Sequence, residues 1–137
     1  LQDERLADID FLGARFPLHA PKEASARRVC RALNIYLQNP KTKFRLPLET
    51  GGSDFQRRVW RAMQRIPVGK VLSYGELARR LKTGSRAVGN ACRANPIPIV
   101  IPCHRVVAAN GKGGFMGKTG GRALVIKDWL LTHERGR

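Results

Sequence analysis

Cys103 and His104 stand side by side in Ile97-Pro98-Ile99-Val100-Ile101-Pro102-Cys103-His104-Arg105-Val106-Val107, an apolar run carrying one thiol and one imidazole between a proline and an arginine. A thiol is a nucleophile only as the thiolate, and a neighbouring histidine is one means of obtaining thiolate near neutral pH. Cys103 is therefore a candidate nucleophile. Valine and isoleucine favour a strand, and Pro102 removes a backbone donor while restricting Ile101 before it, so the thiol is expected on a rigid strand. Neighbours on a strand point to opposite faces. His104 would then reach Cys103 only through a water or a bend. The alternative is that Cys103 is a small buried hydrophobe.

Other reactive groups are few. Cys30, Cys92 and Cys103 are an odd number without paired spacing, which argues against a disulfide framework or zinc knuckle and for a reducing compartment. His19, His104 and His133 lack metal-ligand spacing, and no metal or cofactor is expected. The glycine-rich stretch from Lys112 to Gly121, after the Asn110-Gly111 turn signal, contains Phe115 and Met116 but lacks the Gly-Lys-Ser/Thr ending of a phosphate loop. It reads as a mobile lid. Glu134 falls at the end of the last helix, where an acidic side chain opposes the helix dipole, so it requires a partner. A salt bridge in so basic a chain is the simplest one.

The chain of 137 residues is 42% hydrophobic, enough for a packed core in one domain or two small ones. Lysine and arginine number 26 against 10 acidic residues, a formal charge of +16. That exceeds what solubility needs and points to a polyanion, with nucleic acid the leading candidate. The longest apolar run is too short to span a bilayer, and no basic amphipathic anchor stands out. The chain starts at Leu1 without a signal-peptide pattern and is expected to lack an N-terminal piece. A cytoplasmic, prokaryotic location, or otherwise one with DNA, is expected.

The elements that must position Cys103 follow from periodicity and punctuation. Leu6 to Leu12, with Ile9 and Phe11 two apart, predicts a strand. Between Pro21 and Gln38, the spacing of Ala26, Val29, Cys30, Leu33 and Leu37 predicts a helix ended by Asn39-Pro40, with Cys30 in the core. Phe44, Leu46 and Leu48 alternate as an edge strand or extended linker despite Pro47, and a boundary between halves is placed near Thr50 to Gly52. Ser53 with Gln56, and Ser73 with Glu76, form two capping boxes. They predict helices to about Arg65, with Phe55, Val59, Ala62 and Met63 inward, and to about Leu81, with Leu77 and Ala78 inward. A third helix begins near Ser85 and ends at Asn95-Pro96.

Joined by Lys82-Thr83-Gly84, the latter two helices make a helix-turn-helix, whose second helix normally enters a DNA groove. Ser85, Ala87 and Gly89 around Arg86 leave that helix poor in bulk, suiting close approach to a groove or to another helix. Arg122 to Glu134 closes the chain as a helix with Ala123, Ile126 and Leu130 inward.

Pro102-Cys103-His104-Arg105-Val106 with Asn95-Pro96 upstream resembles the active-site signature of the O6-alkylguanine-DNA alkyltransferases, the methylated-DNA–protein-cysteine methyltransferases. The resemblance extends through Phe55 to Trp60, Ile66 to Lys70, Ser73 to Ala78, Arg86 to Gly89, Trp129 to Leu131 and His133-Glu134. It covers residues 53–134 well and residues 1–52 loosely. It implies an α+β fold: a mostly helical domain over 53–137 with a winged-helix-like helix-turn-helix, after a short, incomplete α/β region over 1–52 resembling a ribonuclease-H-like fold.

The implied reaction is DNA repair, the stoichiometric transfer of an alkyl group from a flipped O6-alkylguanine to Cys103, in a monomer bound to double-stranded DNA. By the same resemblance, His104 acts through water as base, Glu134 orients it, and Tyr74 helps guanine leave while turning the flanking phosphate. The carbonyls of Cys103 and Val106 read the exocyclic amine, and Asn95 pins the turn before the cysteine. Arg86 fills the space of the flipped base, while Ser85, Ala87 and Gly89 permit minor-groove docking. The loop Met116 to Gly121 is longer than the family's compact lid, so no loop amide is assigned to the guanine oxygen, and the ligands of the N-terminal zinc site found in some members are absent. A non-catalytic binder of damaged DNA is the second reading, because members of that kind lack the cysteine. A helix-turn-helix regulator is the third.

Overall fold

Local chemistry at the helix starts decides most of the architecture. The computed structural model describes residues 1–12, 16–109, 113–115 and 121–136. In chain order it contains α1 (Ala24–Gln38), α2 (Asp54–Gln64), β1 (Leu72–Ser73), α3 (Tyr74–Leu81), α4 (Ser85–Arg93), a 3-10 turn (Cys103–Arg105), β2 (Val106–Val107) and α5 (Arg122–Arg135). Both capping boxes form: the Ser53 and Ser73 side chains accept from the Gln56 and Glu76 backbone N–H, and those two side chains accept in return from the backbone N–H of Ser53 and Ser73. Four orphan donors at helix starts are thereby satisfied.

The molecule is mostly helical, with one two-stranded sheet in which β1 runs parallel to β2, Leu72 opposite Val106 and Ser73 opposite Val107. Helices α2, α3 and α4 pack around Val59, Met63, Leu77 and Val88, all at most 1% exposed. The Trp60 indole N–H donates to the Ala91 carbonyl at 2.8 Å, tying α2 to α4. The turn between α3 and α4 is closed by Lys82 in the left-handed conformation (φ 57°). Inward placement of Leu77 and Ala78 on α3, and of Ala123, Ile126 and Leu130 on α5, agrees with the spacing.

Three expectations need correction, while the extended reading of residues 42–48 holds. The run before Cys103 is not a strand: Ile97 to Ile101 turns back on itself, with the Ile101 N–H donating to the Ile97 carbonyl at 2.9 Å and Ile99 at φ 76°. Short apolar runs with prolines at 98 and 102 cannot sustain a ladder, and only Val106–Val107 pairs. Leu6 to Leu12 forms no strand either. It contributes a single bridge, Leu6 to Leu48, while Ile9 N–H donates to the Pro96 carbonyl. In α1 Tyr36 is buried and Ala26, Val29 and Leu33 are half-buried on the same side, whereas Cys30 is exposed rather than core and Leu37 is 47% exposed. Residues 42–48 alternate half-buried and exposed as an extended segment, with Phe44, Leu46 and Leu48 against the core.

Replacing Ser73 by alanine removes the acceptor for Glu76 N–H at the start of α3. It is expected to cost about 1 kcal/mol, read as a lower urea midpoint with unchanged slope. An unaltered midpoint would show that β1 pairing, not the cap, fixes where α3 begins.

Candidate active site and nucleic-acid interface

Pro102 is the device that presents the thiol. At φ −81° and ψ 67° it occupies an inverse γ-turn, closed by the Cys103 N–H donating to the Ile101 carbonyl at 2.8 Å. Asn95 holds the same loop from inside: its amide donates to the Ile101 carbonyl at 2.9 Å, and its oxygen accepts from Ile97 N–H at 3.0 Å. The chain then enters the 3-10 turn, so Cys103 and His104 are not on the opposed faces of a strand. Cys103 is 6% exposed and His104 fully buried.

Glu134 gathers this turn. Its Oε2 lies 2.7 Å from His104 Nε2, accepts from the Tyr36 hydroxyl at 2.6 Å and from Arg105 Nη2 at 2.9 Å, and its Oε1 accepts from Arg105 Nε at 2.8 Å. Burial alone would raise its pKa, but donation from His104, Arg105 and Tyr36 holds the carboxyl far below the usual carboxylate range. An ionised carboxylate only accepts, so His104 carries its proton on Nε2 and presents the lone pair on Nδ1. That Nδ1 is buried and makes no hydrogen bond to a described residue. Burial also lowers the imidazole pKa against the opposing pull of Glu134, leaving it neutral and basic. The Cys103 thiol is pushed up by burial, partly offset by hydrogen bonding from Asn95 and by the Lys127 charge. It rests as the thiol.

Tyr74 stands at the start of α3, directly after β1, and the parallel pairing of β1 with β2 brings it beside the chain that leaves Cys103. Its hydroxyl is pushed up to about 12 by burial and by nearby Cys92 and Cys103. A Cβ on Gly113, whose φ is 71°, would meet the Tyr74 ring at 2.8 Å and its hydroxyl at 3.1 Å. Tyr74, Ser73, Ser85 and Val107 line an open cavity of about 700 Å³. Val106 accepts from Lys127 Nζ at 2.8 Å, and the Cys103 carbonyl accepts from Val106 N–H. Each carbonyl keeps a second lone pair for a further donor.

On α4, Ser85 and Arg86 are exposed and Ala87 and Gly89 half-buried. A Cβ at Gly89 would meet nothing within 4 Å, so internal packing does not require the glycine. Arg79, Arg80 and Arg93 are exposed on the same two helices and Lys82 in the turn between them, a concentration of positive charge suited to phosphates. Lys112 and Met116 to Gly120, part of the anticipated lid, lie outside the described residues.

Three residues around the thiol escape sequence reasoning. Arg105 sits within the quoted motif, yet its role emerges only from the bidentate contact with Glu134. Tyr36 competes with Leu37 for the inner face of α1, and periodicity alone does not separate them. Lys127 is fully buried, donating to Val106 and Gly114 carbonyls at 2.8 Å each, with its pKa lowered by burial to about 8. Its four-residue spacing from Ala123 was the available signal.

The family model described as 6-O-methylguanine DNA methyltransferase, DNA binding domain, matches residues 54–136. The chain belongs to that family. A methylated-DNA–protein-cysteine methyltransferase of Methanosarcina acetivorans is 37% identical over 139 residues, covering 96% of this chain and 86% of its own. One of Mycolicibacterium paratuberculosis is 49% identical over 105 residues, covering 75% of this chain and 61% of its own. The chain thus spans about three fifths of that relative's length. The crystal structure of Mycobacterium tuberculosis OGT in complex with DNA superimposes with a TM-score of 0.69 at 40% identity, over 80% of this chain and 67% of that one. Among the described residues no group of three or more His, Cys, Asp or Glu could hold a metal. No described helix is long and apolar enough to cross a membrane.

Glu134→Gln leaves Arg105 without its counter-charge in a buried place, and such a change is expected to cost about 3–5 kcal/mol at neutral pH. Because the folded carboxyl pKa is depressed, its contribution is complete above the unfolded value of 4.5 and fades as pH falls below it. Urea titrations from neutral pH downward should therefore show the two proteins converging in acid. A gap that is constant with pH would contradict the assigned charge.

Proposed function

We propose that this protein repairs DNA by moving an alkyl group from O6-alkylguanine to Cys103, in a reaction that consumes the protein. The observation that carries the reading is the relay itself: a buried thiol followed by an imidazole whose Nε2–H is fixed on Glu134 at 2.7 Å, leaving Nδ1 as the base. The thiol gives its proton, through water, to His104 Nδ1. A sulfur lone pair then forms the S–C bond as the C–O6 bond breaks, its electrons passing to the guanine. Tyr74, as a neutral phenol, donates a hydrogen bond to the departing base, and the Cys103 and Val106 carbonyls accept from its exocyclic amine. A thioether is a poor leaving group at neutral pH, so nothing regenerates the thiol.

Double-stranded DNA is the partner under this reading, supported by the +16 charge, the exposed basic residues of α3 and α4, and the likeness to a relative solved with DNA. Arg86 is the finger that occupies the vacated stack, and Ser85, Ala87 and Gly89 admit the minor-groove wall. Asn95 keeps the Cys103 loop in register. A DNA-containing, reducing compartment is the setting that suits an alkyl-acceptor thiol. We place the boundary between the two parts at residues 50–52, with 53–137 as the DNA-binding and alkyl-acceptor domain. Residues 1–52 form an α/β region related to the ribonuclease-H-like fold, a reading supported by the order of extended segment, helix α1 and extended segment.

Incubation with a duplex containing O6-methylguanine is expected to add one methyl group per protein, mapped by peptide mass spectrometry to Cys103. An unchanged intact mass would favour a non-catalytic binder of damaged DNA, and modification at Cys30 or Cys92 would refute the site. Arg86→Ala separates extrusion from chemistry. It should leave transfer from free O6-benzylguanine intact while slowing duplex repair roughly ten- to a hundredfold, since flipping costs a few kcal/mol and about 1.4 kcal/mol is tenfold in rate. Equal slowing of both substrates in single-turnover assays would make Arg86 a pocket or structural residue.

A further inference from the structure

The relay at Cys103 is completed from outside its own domain. Tyr36 belongs to α1, in the N-terminal half, yet its side chain is 1% exposed and its hydroxyl donates to Glu134 Oε2 at 2.6 Å. The same oxygen receives His104 Nε2 at 2.7 Å and Arg105 Nη2 at 2.9 Å. The ring cannot withdraw. Its centroid lies 5.5 Å from that of Phe44 and 5.4 Å, edge-on, from that of His133, and the Tyr36 carbonyl accepts from His133 Nε2 at 2.9 Å. Structural filling would need only the ring, whereas the hydroxyl is aimed at the one oxygen that the imidazole uses.

A donor on a carboxylate oxygen draws off part of its charge and weakens its support for a neighbouring cation. We propose that Tyr36 is a positioning residue through which the N-terminal half of the chain sets the proton affinity of His104. By donating to Oε2 it stops the carboxylate from rotating away from Nε2 and holds the imidazole less basic than a His–Glu pair alone would be. The groups facing His104 are Glu134 and Lys127 from α5, Cys103 and Arg105 on its own turn, and Tyr36 from α1 acting through Glu134. Of these, Tyr36 alone can be altered without changing a formal charge at neutral pH or the nucleophile. The consequence for alkyl transfer rests on the transferase reading above; the effect on His104 does not.

Tyr36→Phe keeps the ring and removes the donor. In the full chain, NMR titration of the labelled histidine rings should place the His104 midpoint at least about half a pH unit higher in the variant, roughly a threefold gain in proton affinity. An identical midpoint in a folded variant overturns the proposal. In a Glu134→Gln background the same substitution should move His104 no further, and a persisting shift would overturn the route through Glu134. Should Tyr36→Phe not fold, the unmutated chain still decides: the Tyr36 ring carbon bearing oxygen should titrate with the His104 midpoint, and a flat signal refutes the coupling. Single-turnover transfer from free O6-benzylguanine should show its acid limb displaced upward in Tyr36→Phe. A wild-type chain that accepts nothing from O6-benzylguanine would sink the transferase reading, while the titrations still judge Tyr36.

Discussion

Glu134 is a carboxylate only 4% exposed in the last turn of α5, where the helix dipole works against a negative charge. Taking such a group out of water costs several kcal/mol unless partners with good geometry meet all of its acceptor sites. Here they do. Arg105 grips it as a planar fork, with its remaining arm on the Ile66 carbonyl at 2.7 Å; His104 and Tyr36 take the rest. This one requirement fixes the path of the chain through residues 102–106, because consecutive residues His104 and Arg105 must both face α5. An extended strand would turn one of them away, and a 3-10 turn satisfies both. The γ-turn at Pro102, the Asn95 staple and the left-handed Ile99 are the local adjustments that deliver the chain into that turn.

The same arrangement explains why the thiol is protected at rest. Susceptibility of a cysteine to oxidation follows its thiolate character and exposure, and Cys103 has little of either, since burial pushes its pKa up. A neutral imidazole with an oriented lone pair draws the proton only when a group able to accept the sulfur is in place, so deprotonation and transfer are coupled under the proposed reaction. Lys127 belongs to the same economy of charge. With its pKa lowered to about 8, it still places a largely positive ammonium between β2 and the Gly114 carbonyl, where it opposes the rise in the thiol pKa.

What could be read in the sequence was the local part. Ser53 with Gln56 and Ser73 with Glu76 specify helix starts within four residues, and the apolar stripes behind them have one phase, so α2, α3 and the turn to α4 were legible. Asn95-Pro96 likewise stops α4 where expected. The failures share a cause: short segments whose geometry is settled by distant partners. Ile97 to Val107 looks like a strand because its residue types favour one, but Glu134, thirty positions away from His104, decides otherwise. Along α1, Leu37 is the more apolar choice for the inner face, yet Tyr36 wins because a buried hydroxyl needs a partner and Glu134 supplies it. Lys127 occupies an inner position of α5 that a charged side chain does not advertise in the sequence.

The small parallel pair β1–β2 is where the basic helices α3 and α4 are joined to the turn that carries the thiol. β1 runs directly into α3 and so carries Tyr74, while β2 leaves the 3-10 turn and so carries the chain away from Cys103; their register, Leu72 opposite Val106, sets one against the other. Tyr74 is in turn held by the absence of a side chain at Gly113, a position where any Cβ would strike its ring, and Lys127 ties β2 to Gly114 next to that glycine. On the proposed reading, a duplex on the basic face of α3 and α4 would meet a phenol whose place relative to the thiol is set by the β1–β2 pairing. Under the proposed reaction, preorganisation of this kind sets Tyr74 and the thiol in place before substrate arrives, and it would make extrusion of the base, not assembly of the site, the step left for α4 to drive.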